Sequence, residues 1–189
     1  MPICWISSSN KPLNILIRAS DSTIFREGFI LHQLHPAAQT NHDNAIIRLF
    51  SSQSLDGETN STDMDSFCSY TYTSDRVEIV YQETGLEETV APLTHITVLP
   101  GPVLTIQRNG AYGMDLLLEQ GKTHETVYRI PETEMKLTVY TKKIKYAFHE
   151  SGGMLLAQYS LNLNDTIRTN HSIRLHVRTT TQKPSTGTD

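Results

Sequence analysis

The chain has 189 residues, 16 Lys and Arg against 20 Asp and Glu, a net charge of −4 and a pI of about 6.0. That length suits one domain of ordinary size with a substantial core, and the mild acidity disfavours a dedicated nucleic-acid binder, whose footprint is a basic face. Two cysteines, Cys4 and Cys68, are too few for a disulfide scaffold, so free thiols in a reducing cytoplasm are expected.

Met1 to Asn14 lacks both a basic start and a long apolar run, so neither a secretion signal nor a membrane anchor is expected. Leu13 to Ala19, with Ile15, Leu16 and Ile17, reads as a first strand. Thr23 to Leu34 reads as a strand pair or an irregular strand interrupted by Gly28. Ala45 to Phe50 is a short apolar island, a strand or a helical turn. Ser51 to Asp65 is polar, with too little apolar surface to offset an ordering entropy of ~1–2 kcal/mol per residue. It reads as a surface loop, the core of an irregular insertion over about residues 35–65.

From Ser66 the period is two. Ser66 to Thr73, Val77 to Tyr81 and His95 to Leu99 read as strands, and Pro100-Gly101-Pro102 as a turn. Val103 to Arg108 leads into Asn109-Gly110, a type I′ hairpin signal. Tyr112 to Glu119 and Thr123 to Ile130 follow, separated by Gln120-Gly121-Lys122. Met135, Leu137 and Val139 alternate with Lys136, Thr138 and Tyr140 until Lys142-Lys143 breaks the run. Ile144, Tyr146 and Phe148 then share a side. Ser151-Gly152-Gly153 turns the chain into Leu155 to Leu163, and Ser172 to Val177 closes the pattern. Thr179 to Asp189 reads as a disordered polar tail. Turns every eight to twelve residues, and no period of 3.6, predict an all-β domain over residues 1–178. Its single apolar face has to be buried, which a sheet can do by curling on itself, and the turn spacing is that of sandwiches and barrels alike.

These strands carry a resemblance. Arg108 and Gly110, Gly121 and Lys122, Thr126, Tyr128 and Pro131, Tyr140 to Lys143, and Gly152, Gly153 and Tyr159 stand in an order that resembles the uncharacterised bacterial family DUF1934, the YwiB-like proteins. The resemblance spans roughly Ser66 to Val177. Glu132-Thr133-Glu134 departs from the family's Gly-containing turn, and Ile24 to Asp65 is longer than its second strand. The resemblance implies a closed up-and-down antiparallel barrel of the calycin, lipocalin-like kind, with about eight strands or more, and no established activity.

Each candidate site has two readings. Arg108 could clamp a carboxylate or phosphate at a barrel mouth, or pair with a carboxylate such as Asp115. Thr126, Tyr128, Tyr140, Tyr146 and Tyr159 suit the walls of an interior pocket, and equally a β core. Lys136, Lys142, Lys143 and Lys145 could form an anion- or RNA-contacting patch, or simply a solvated turn that blocks edge pairing. His32, His35 and His42 make no metal signature, and no motif of nucleophilic or phosphate chemistry appears. No cofactor or metal is expected, and an enzyme is disfavoured. The leading expectation is a cytoplasmic binding module for a small apolar or amphipathic ligand inside the barrel. The alternative is a protein-interaction scaffold, RNA-associated in one form, acting through the 51–65 loop or the 136–145 lysines. Neither a membrane nor a named protein partner is implied.

Overall fold

The computed structural model describes residues 43–83, 91–110, 112–131, 133–163 and 167–180. The readings on Cys4, Leu13 to Leu34, the three N-terminal histidines and the tail beyond Thr180 lie outside them. Ten strands occur in the described residues: β1 (Ala45–Leu55), β2 (Glu58–Tyr72), β3 (Val77–Gln82), β4 (Leu93–Leu99), β5 (Val103–Arg108), β6 (Met114–Glu119), β7 (Thr123–Ile130), β8 (Thr133–His149), β9 (Gly152–Leu163) and β10 (Ile167–Thr179). Each is antiparallel to the strand before it, and β1 also pairs with β10, so the sheet is a closed barrel. No described residue is helical. Among the described residues, no helix is long and apolar enough to cross a membrane.

Alternation decides what faces inward. Ile47, Ile79, Leu104, Leu118, Val139 and Leu161 have no exposed surface. Burying each such side chain contributes about 1.5–3 kcal/mol, and closure leaves the sheet no bare edge. Odd-to-even connections gather at one end of the barrel, the upper rim here, and even-to-odd connections at the lower rim.

Three expectations change. Ser51 to Asp65 is strand, not loop: it supplies the ends of β1 and β2, joined by Asp56 and Gly57 with φ of 51° and 87°. That is the two-residue hairpin geometry an Asp-Gly pair favours. Asn109-Gly110, by contrast, is not a two-residue turn, since Arg108 faces Met114 across a five-residue connection. Lys142 does not break β8 in two. A bulge between Thr141 and Lys143 absorbs one extra residue, and the strand runs on to His149.

Candidate functional site

At the upper rim, Arg108 ends β5 on the inward side it shares with Leu104 and Ile106, and Glu83 follows β3 on the side of Ile79 and Tyr81. Arg108 Nε and one terminal nitrogen donate to Glu83 Oε2, both at 2.9 Å. Thr94 Oγ1 donates to Glu83 Oε1 at 2.7 Å, and the other terminal nitrogen of Arg108 donates to the Tyr112 carbonyl. The Tyr81 phenol completes the group; burial, then the Glu83 charge, raises its pKa. Asp115 is not the partner of Arg108. It lies on the outward side of β6 and pairs with Arg129. Parity forbids the expected contact: an inward guanidinium cannot reach a carboxylate on the opposite face of the sheet. The clamp is therefore closed on the protein's own carboxylate.

The tyrosines separate. Thr126, Tyr128 and Tyr159 are buried inside, with Thr126 Oγ1 donating to the Asp115 carbonyl. Beside Tyr159, the His171 ring stacks at 5.0 Å and 7°, and its Nε2 lies 2.8 Å from Thr169 Oγ1. Burial holds that imidazole neutral, with its pKa pushed down to about 3. Tyr140 and Tyr146 do not join this wall, being 42% and 39% exposed. Tyr140 has the outward parity of Lys136 and Thr138. Tyr146 regains inward parity after the bulge but sits at the lower rim, reaching the Leu99 carbonyl at 3.3 Å. There Phe148 lies 6.3 Å from both Tyr146 and Tyr70, and the Tyr70 hydroxyl donates to the His149 and Gly152 carbonyls at 2.7 and 3.2 Å. Aromatic rings thus cap that end.

The outer surface is different. Register places outward residues of β8, β9 and β10 in rows. Thr138, Asn162 and Arg168 form the first row, and Tyr140, Ser160 and Asn170 the second. Lys143, Gln158 and Ser172 come next, then Lys145, Leu156 and Arg174. Ala147, Met154 and His176 follow, and His149, Gly152 and Arg178 finish the strip. No row contains a carboxylate. The bulge adds exposed Lys142, and Lys136 stands just beyond the first row. On the flanks the acids return: Glu125 lies opposite Thr138 on β7, and Asp63 and Asp65 of β2 hold Arg48 of β1. Ion pairs elsewhere join Arg76 to Glu78, Lys122 to Glu119 and Arg129 to Asp115. Arg174 instead lies over the Phe50 ring at 4.5 Å, and Arg168 donates to Ser160 Oγ at 3.3 Å. The four sequence-predicted lysines are thus brought onto one face, together with arginines from a strand far along the chain. The sequence reading missed these arginines, because only the register of β10 against β9 aligns them with the lysines.

At the lower end the strip opens into a groove of about 530 Å³, lined among others by Ala147, His149, Ser151, Met154, His176 and Arg178. Among the described residues, no group of His, Cys, Asp and Glu could hold a metal ion.

A family model for a domain of unknown function, DUF1934, matches residues 47–175. The chain belongs to the DUF1934 family. The match begins in β1 and ends in β10, so the DUF1934 domain here comprises the closed barrel. The fold is similar to that in the crystal structure of the YwiB protein from Bacillus subtilis, at a TM-score of 0.64 and 19% identity, covering 74% of this chain and 93% of that one. At that identity the likeness concerns the fold. No curated protein matches the chain. What a DUF1934 barrel does must then be argued from its surfaces.

Proposed function

We propose that this DUF1934 protein is a non-catalytic binding module that acts through its outer surface, holding a single-stranded nucleic acid against β8 to β10. The observation that carries this is the acid-free strip, on which Lys142, Lys143, Lys145, Arg168 and Arg174 form no ion pair within the described chain. Cations of a solvated surface are usually interspersed with acids, as they are on the rest of this barrel. A net charge of −4 averages the two regions and conceals the basic one. The strip also offers exposed Tyr140 as a stacking surface and the Gln158, Ser172 and Asn170 side chains as hydrogen-bonding groups. Base stacking on an aromatic with cations tracking the backbone is how sequence-tolerant single-strand binding works. A convex sheet face cannot enter a duplex groove, which favours the single strand.

The interior-ligand reading draws on the barrel and on inward Tyr128 and Tyr159. Against it, a ligand-sized hollow would leave surface on Leu104, Leu118, Val139 and Leu161, and none is open. Fluorescence anisotropy with an internally labelled oligouridylate tests the surface reading. Binding at low salt, weakened at least about ten-fold by combined Lys143→Glu and Lys145→Glu, is expected. Equal affinity for duplex, or no effect of the charge reversal, overturns it; capture of an acidic protein in place of RNA points to a protein partner.

A further inference from the structure

The groove at the lower end of the strip differs chemically from the strip itself. Its floor is low because small Ala147 and Gly153 line it, and β9 begins there with Gly152 and Gly153 opposite His149 and Phe148. Bulk cannot be added there: a Cβ on Gly152 would lie 2.1 Å from the Val177 carbonyl oxygen, at a φ of 128° that side chains avoid. Around this floor stand Arg178, His176, His149 and the Ser151 hydroxyl. Ser151 Oγ is 2.8 Å from His149 Nδ1, so the pair is already oriented. The Ser151 carbonyl accepts from the Thr179 amide at 3.1 Å, which ties the turn to the end of β10. Met154, 61% exposed, forms the apolar side. No carboxylate lines the groove; Glu150, in the turn, is exposed. The volume is within the range of small-molecule sites.

Resting on the surface reading above, we propose that this groove seats the terminal phosphate of the bound strand, with the end nucleotide against Met154. A phosphate monoester carries about −1.5 to −2 charges and three acceptor oxygens, more than an internal phosphodiester. A guanidinium, two imidazoles and a hydroxyl converging on one opening match that surplus, and an Arg fork matches phosphate geometry. The strip needs only point charges, which lysines provide. The groove concentrates directional donors. The strand's end is therefore fixed in the groove while its body lies along Lys145, Lys143 and Tyr140.

The test is competition against the internally labelled strand by unlabelled oligouridylates ending in 5′-hydroxyl, 5′-phosphate or 3′-phosphate, using the full chain. One phosphorylated end is expected to compete on the order of ten-fold better than the hydroxyl end, and which end wins gives the polarity. Arg178→Ala is expected to abolish that preference; His176→Ala, removing a different donor, is expected to reduce it. Equal competition by all three ends, with the strand still bound, overturns the groove assignment and leaves the surface reading standing. If no oligonucleotide binds, the surface reading fails. The groove is then judged with uridine monophosphate alone: binding lost on Arg178→Ala retains it, and no binding overturns it.

Discussion

Glu83 and Asp115 each accept from an arginine, yet one is buried and the other is not. Glu83 is 3% exposed and Arg108 20%, whereas Arg129 and Asp115 are each 43% exposed. Removing one partner of a buried pair leaves an uncompensated charge and costs about 3–5 kcal/mol, while an exposed, solvent-screened pair contributes little. Urea unfolding is therefore expected to show Glu83→Ala strongly destabilised and Asp115→Ala barely changed. His171 makes a second prediction. Its pKa is lowered by burial from 6.5 to about 3, so the unfolded chain takes up a proton near 6.5 that the folded chain refuses. Its stabilising effect is complete above 6.5 and is lost as pH falls from 6.5 towards 3, by up to roughly 1.4 kcal/mol per pH unit. His171→Phe is expected to flatten the loss of stability between about pH 6 and about pH 5, measured by urea midpoints. At this scale the sequence showed that Arg108 lay among apolar neighbours. It did not show the partner, since choosing Glu83 over Asp115 requires knowing which face each carboxylate occupies.

The strands from β3 onward were largely legible because alternation is local, and Thr123–Ile130 falls where the pattern places it. The β1–β2 hairpin was not, because Ser51 to Thr62 carries few apolar residues to mark the period. Asp56-Gly57 was the signal available there. The bulge in β8 was visible only as a lysine pair, and its effect is to change parity: Tyr140 faces out, and Ile144 faces in. Deleting Lys142 is expected to remove the bulge yet keep Ile144 inward, because Thr141 and Lys143 already face the successive residues Tyr159 and Gln158. A markedly lowered unfolding temperature with binding of a hydrophobic dye would contradict that register. Gly152→Ala is expected to destabilise by about 3 kcal/mol, because neither its φ nor the Val177 carbonyl leaves room. A tolerated alanine in a denaturation curve would contradict that geometry.

For the whole molecule, the segregation of charge predicts a salt signature. Single-strand affinity is expected to fall with a log–log slope near −0.7 for each phosphate neutralised, roughly −3 for Lys143, Lys145, Arg168 and Arg174 together. The slope should shrink with each of these residues replaced. The pairing of β1 with β10 has a separate consequence. Ala45 meets Thr179, and the Thr180 amide donates to the Asn44 carbonyl, so closure joins the first described strand to the last. During synthesis, nine of the ten described strands emerge with two raw borders before the last, β10, arrives to zip them together. A ribosome stalled before Ile167 would thus hold a sticky, unfinished cylinder.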